Sequence, residues 1–126
     1  MENTTKIKFV NKLKARTKKA AIDVIFLTRN FQQKKELQVI TYQIVKSSTS
    51  VAANYRAASR AISERALYSK MKIVEEEADE TVFWLEILQE IAPELEPKIK
   101  NLEMEYVEIL KIIAKTNKTL RLKFKN

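Results

Sequence analysis

The sequence predicts an all-α chain folded as an antiparallel up-down-up-down four-helix bundle. Three observations predict it. The 126 residues include no Gly and only two Pro, and a sheet protein needs such residues at its turns. Four stretches carry apolar residues at helical spacing. The segments joining them are short, so consecutive helices must run antiparallel.

Residues 1–11, MENTTKIKFVN, are polar or basic with no clear period and read as a mobile arm. From Leu13 the period is helical: Leu13, Thr17, Ala20, Ala21, Val24, Leu27, Thr28, Phe31. Asn30 to Lys34 breaks it and reads as a loop. The second helix spans about Lys35 to Tyr55, with Leu37, Ile40, Thr41, Ile44, Ser48, Val51, Ala52 and Tyr55 on its stripe. Small residues take over in its second half, Ser47 to Ala53. They predict a close helix crossing, with a ligand site as the alternative, and their hydroxyls can return to carbonyls one turn back. Within that crossing Asn54 is expected to hydrogen-bond, and Ala53→Leu to overpack it.

Arg56 to Ser63 forms a corner. Ser63 suits an N-cap, and Glu64 then lies in the first turn, where the helix dipole favours an acid. The third helix covers about Glu64 to Ile91 on a stripe of Leu67, Met71, Val74, Ala78, Val82, Leu85 and Leu88. Ile73, Trp84, Ile87 and Ile91 add a second apolar edge, and Trp84 is expected to be substantially buried in the core or a subunit interface. Glu75, Glu76, Glu77, Asp79 and Glu80 interrupt its middle. They read either as a solvated face or as half of an Arg–carboxylate network. The structural or interface set is then Asn54, Arg56, Arg60, Glu77, Asp79, Glu80 and Trp84. Pro93 and Pro97 mark the last turn, Pro97 fitting a first helical turn. The fourth helix carries Leu95, Ile99, Leu102, Tyr106, Ile109, Ile113, Thr116 and Leu120. Val107, Leu110 and Ile112 lie off that stripe and predict a subunit contact. Residues 121–126, RLKFKN, read as a basic tail, and residues 1–126 as a single domain.

Composition excludes whole classes of chemistry. With no His and no Cys, the usual zinc sites and catalytic triads cannot be built. Without Gly, neither a P-loop nor a dinucleotide fingerprint is possible. No catalytic residue, cofactor or metal ligand is assigned, and no enzyme activity is expected. No apolar run of about 18 residues predicts a membrane span. The N-terminus lacks a signal-peptide core, and the absence of Cys fits the cytoplasm.

The formal charge of +8 is uneven. Residues 1–35 carry a net +8 and residues 36–63 a net +2, residues 64–96 carry −7, and residues 97–126 carry +5. In an antiparallel bundle the start of the first helix and the end of the fourth share one end. Lys12, Lys14, Arg16, Lys18, Lys19, Lys118, Arg121, Lys123 and Lys125 are then the candidate nucleic-acid-binding residues. Such a patch binds phosphates without reading sequence.

The run SSTSVAANYRAASRAISERALYSKMKIVEEEADETVFWLEIL, from Ser47 to Leu88, resembles the four-helix-bundle family named after proteins encoded in intervening sequences of bacterial 23S ribosomal RNA genes. The likeness rests on Ser47-x-x-Ser50-x-x-Ala53-Asn54-Tyr55-Arg56, on Ile73-Val74-Glu75-Glu76-Glu77-Ala78-Asp79-Glu80-Thr81, and on Trp84-Leu85. Arg16-x-Lys18, Ala21 and Val24-Ile25 also fit the family's opening helix, so the resemblance covers about residues 12–120. It implies a bundle commonly assembled as a ring-like homopentamer, with no established enzymatic activity. A similar branch, the accessory protein of diversity-generating retroelements, is a basic pentamer that binds nucleic acid and a reverse transcriptase. Many relatives carry Gly in the small-residue run or at helix ends; this chain has none, so its helix ends are expected to differ.

Two functions follow. One is a homo-oligomeric accessory factor that binds RNA or DNA without sequence preference, with a reverse transcriptase as partner in the retroelement branch. The other is a structural or protein-interaction scaffold with no nucleic-acid role, in which the acidic third helix meets a basic face of a neighbouring subunit.

Overall fold

The computed structural model describes residues 3–31 and 34–124. Its elements are α1 (Asn3–Thr28), α2 (Lys35–Ala58), α3 (Glu64–Ile91), a single 3-10 turn (Pro93–Leu95) and α4 (Glu96–Lys123). Each helix packs on its neighbour in sequence, and α1 closes the ring against α4. Cross-helix bonds fix the antiparallel sense. Near the α3–α4 turn Gln89 Nε2 donates to Glu103 Oε1 at 2.7 Å. At the far end of the same pair Asn117 Nδ2 donates to the Met71 carbonyl at 2.9 Å. The expected four-helix bundle is therefore the fold.

The stripes read from the sequence form its interior. Val24, Ile44, Val51, Val74, Leu85, Leu88, Ile99, Tyr106, Ile109 and Ile113 are all fully buried. At about 25 cal/mol per Å² of apolar surface removed from water, this cluster is the main stabilising contribution. Ser63 caps α3 as expected, its Oγ accepting from the Ala66 N–H at 3.1 Å. Pro97 lies in the first turn of α4.

The bounds differ from expectation at both ends. Residues 3–11, read from the sequence as an arm, are helical and continuous with the rest of α1. Val10 packs against the core, while Ile7 and Phe9 stay exposed. One inward residue gives too weak a period to show the helix. Residues 121–123 likewise continue α4, where Arg121 and Lys123 sit favourably at the negative end of the helix dipole. Phe124 then stacks on Tyr68, with ring centroids 5.7 Å apart. The second helix continues past Tyr55 to Ala58.

The small-residue half of α2 does make a close crossing, against α3. Ser47 and Thr81 are buried with their hydroxyls 2.8 Å apart. Each also reaches a carbonyl of its own helix, Ile44 at 3.2 Å and Glu77 at 2.8 Å, so neither hydroxyl is stranded in the core. Asn54 and Ala53 lie off this contact. Asn54 Nδ2 donates within its own helix, to the Ser50 carbonyl at 3.0 Å and to Ser50 Oγ at 2.9 Å. Ala53 is exposed, so Ala53→Leu has nothing in the bundle to overpack. Ala53 points away from the crossing, whereas Asn54, seven residues beyond Ser47, lies on the same side of α2 two turns further along and is part-buried. Val107, Leu110 and Ile112 are half-buried against the core edge rather than fully exposed.

Candidate nucleic-acid interface

The helix period divides the cations of α1 into two rows. Lys12, Arg16 and Lys19 lie three to four residues apart and share one face. That face meets α4. Arg16 forks onto Glu105, with Nε to Oε2 at 2.9 Å and Nη2 to Oε1 at 2.7 Å, and also reaches Glu108 at 3.0 Å. This bidentate pairing holds the guanidinium pKa above its ordinary value, the Glu105 hydrogen bonds outweighing the opposing effect of burial. Lys19 pairs with Asp23 on its own helix at 2.8 Å. Lys14 and Lys18 form the other row, turned toward α2. They line a groove with Arg56 and no carboxylate.

Three chain segments meet at one end of the bundle. Lys6 and Lys14 of α1 line a second groove with Ser59 and Arg60 from the α2–α3 corner. At the end of α4, Lys123 reaches back to Glu64, and the Arg65 guanidinium lies 4.6 Å over the Phe124 ring. Lys6, Lys12, Arg60, Lys118 and Arg121 form no ion pair with any described residue, and all five are exposed. Lys8, Lys18 and Arg56 are likewise exposed without an ion pair to a described residue.

The sequence-derived patch is therefore split. Arg16, Lys19 and Lys123 are matched with carboxylates, whereas Lys12, Lys14, Lys18, Lys118 and Arg121 are not. Lys125 lies outside the described residues. Sequence reasoning missed Lys6 and Arg60 as members of this end. The signal for Arg60 was its place in the corner, which an antiparallel topology puts beside the start of α1.

The expected Arg–carboxylate network does not form within one chain. Arg56 and Arg60 are exposed, and Arg65 turns to Phe124 instead. Asp79 is exposed. Glu77 is half-buried, and burial followed by repulsion from Glu80 raises its pKa. Glu80 Oε2 accepts from Trp84 Nε1 at 3.1 Å, and Trp84 is part-buried, packed against the edge of the core. The reason is topological. The corner arginines sit at the bundle end, while the acids lie three or more turns down α3. Interhelix ion pairs form instead from Arg16 to Glu105 and Glu108 and from Lys123 to Glu64.

Exchanging Arg16 for Gln is expected to lower stability by about 1 kcal/mol, since the pair is partly exposed. It should leave nucleic-acid affinity nearly unchanged, because its charge is already neutralised. Thermal unfolding and a binding titration on the same sample check both halves.

Among the described residues no helix is long and apolar enough to cross a membrane, and no group of three or more acidic side chains is placed to hold a metal ion.

The bundle and its sequence stripe agree with one family model, that of the 23S rRNA-intervening sequence protein, which matches residues 11–115. The chain belongs to the 23S rRNA-intervening sequence protein family. A solved structure from Bacteroides thetaiotaomicron, described as a protein of unknown function from the S23 ribosomal protein family, is similar to this family member. It superposes with a TM-score of 0.76 at 27% sequence identity, over 84% of this chain and 98% of that one. A comparison with curated proteins finds no match. The family match begins at residue 11 and ends at residue 115. The parts of the basic end contributed by Lys6, Lys118 and Arg121 thus lie beyond it, in the outer turns of α1 and α4.

Proposed function

We propose that the protein is a non-enzymatic accessory factor that binds nucleic-acid backbones without sequence preference and acts as a homo-oligomer, with five subunits as the number implied by its family resemblance. One observation carries the reading. Lys6 and Arg60 line one groove at an end of the bundle, the antiparallel topology brings the helix halves that carry Lys12, Lys118 and Arg121 toward that same end, and none of the five has a carboxylate partner among the described residues. A charged group that the fold leaves uncompensated is available to a counter-charge from outside. Phosphate is the counter-charge that matches several lysines and arginines spread over one surface. Self-association would multiply the patch and raise avidity without any new contact.

The rest of the surface supports backbone contact over base reading. Among the described residues the aromatics at the basic end are Phe9, which stands alone, and Phe124, whose ring is already stacked on Tyr68, so they offer no extended platform for stacking bases. The family's name and the ribosomal family of the solved relative make RNA the first ligand to try. A reverse transcriptase is the protein partner to test if the chain serves a retroelement.

The test is fluorescence anisotropy with labelled RNA, duplex DNA and single-stranded DNA, each in two unrelated sequences. Equal affinity for the two sequences of a given type is expected. A strong preference for one sequence would point to base readout and against this proposal. No binding at low salt would leave the scaffold reading in its place.

A further inference from the structure

The α1–α2 groove is a concave surface of about 700 Å³. Its floor is built from small and aliphatic residues: Ala15, Ala21, Ile22, Ile25, Ala52 and Ala53. Its rim carries Lys14, Lys18 and Arg56, and no acidic residue lines it. A phosphate backbone would leave such an apolar floor unused. The occupant that fits is an amphipathic helix with apolar side chains along one face and acids beside them.

The outer face of α3 has that chemistry. Ile73, Glu76, Glu80, Phe83, Ile87 and Ile91 follow one another at three- and four-residue steps, which places them on a single helix face. Ile73 is 38%, Phe83 49% and Ile91 46% exposed. No Lys or Arg occurs between Ile73 and Pro97. The lengths agree too. The groove runs from Asn11 to Ile25 of α1, about 21 Å, and the stripe from Ile73 to Ile91, about 27 Å, at 1.5 Å per residue. One surface is apolar with a cationic rim, and the other is apolar with acids, on different helices of the same chain.

We infer that the acidic outer stripe of α3 from one copy of this chain docks into the α1–α2 groove of a second copy. The inference rests on the homo-oligomer half of the proposed function and names the two surfaces that meet. Because those surfaces differ, the contact is head-to-tail, and repeating it closes a ring or extends a filament. Lys14, Lys18 and Arg56 then face Glu76 and Glu80, and Phe83 and Ile87 cover the alanine floor. The basic end of the bundle, with Lys6, Lys12, Arg60, Lys118 and Arg121, stays outside the contact. Small residues at positions 52 and 53 are explained as well: a larger side chain there would fill the groove.

The test is mass by light scattering and sedimentation over a range of concentrations, on nucleic-acid-free protein. Wild-type chain should form an oligomer of defined size. Lys14→Glu with Lys18→Glu should reduce the mass to that of a single chain, and so should Glu76→Lys with Glu80→Lys. The chain carrying all four reversals should assemble again, because the charges are exchanged between the two surfaces. Ala53→Trp blocks the groove sterically at an exposed position and should also give single chains. Helical circular dichroism confirms that each variant is folded.

An oligomer that keeps its mass through all these changes overturns the pairing but leaves the oligomer reading intact. A wild-type chain that stays monomeric at every concentration overturns both. If Lys14→Glu with Lys18→Glu weakens RNA binding while the mass is unchanged, the groove holds phosphates and the inference is wrong.

Discussion

Replacing Lys6, Lys12, Arg60 and Arg121 together by Gln is expected to weaken RNA binding about a thousandfold at about 0.1 M salt. Each lost phosphate contact removes close to one unit from the salt slope, and roughly a factor of five to ten in affinity at that ionic strength. All four side chains are exposed and form no ion pair with a described residue, so the bundle should unfold at nearly the wild-type temperature. The informative control removes paired charges instead. Arg16, Lys19 and Lys123 changed to Gln lower the net charge by a similar amount, yet these groups already hold Glu105, Asp23 and Glu64. If binding tracked net charge alone, the two variants would lose affinity almost equally. If it depends on uncompensated cations at one end, the first loses far more. A titration of both variants against one labelled RNA decides between these.

The second large effect is on stability. Tyr106 heads the fully buried side chains of the core by volume. Truncating it to Ala should cost about 3–5 kcal/mol, the range for removing a large aromatic from a packed interior. For a domain of this size that is a large share of the total stability. Tyr106→Phe should behave in the opposite way. The hydroxyl lies beside Ser48 without a well-formed hydrogen bond, and burial raises its pKa above the ordinary phenol value. Deleting an oxygen that is desolvated and poorly paired should be neutral or mildly stabilising. Urea unfolding of the two variants checks both signs. A Phe variant as unstable as the Ala variant would show that the hydroxyl makes a bond the core depends on.

The fold was legible because its determinants are local. Apolar residues at helical spacing and the absence of Gly place four helices, and the Ser63 cap fixes where α3 starts. The first turns of α1 were not legible, since Ile7 and Phe9 face solvent while Val10 reaches the core. Helix formation there gives no periodic signal. The basic end was legible as a cluster of charge but not in its composition. Pairing across helices depends on which face each cation occupies. Arg16 and Lys14 are two residues apart in sequence and about 160° apart around α1. One is bound by Glu105 and the other lines a groove without acids. Asn54 and Trp84 show the same limit. Each belongs to the stretch that carries the family resemblance, but Asn54 bonds within its own helix, and Trp84 packs only against the edge of the core, its indole N–H held by Glu80. Residues prominent in the family pattern therefore need not be core residues of the single bundle.

The central claim is that uncompensated cations at one end of the bundle receive nucleic-acid phosphates. The most direct measurement is the dependence of the RNA association constant on salt, for wild type and for the variant lacking Lys6, Lys12, Arg60 and Arg121. The account predicts a linear fall of log affinity with log salt for the wild type, and a slope shallower by about three to four for the variant. The same slope for both proteins would contradict it, because the phosphates would then be bound somewhere else.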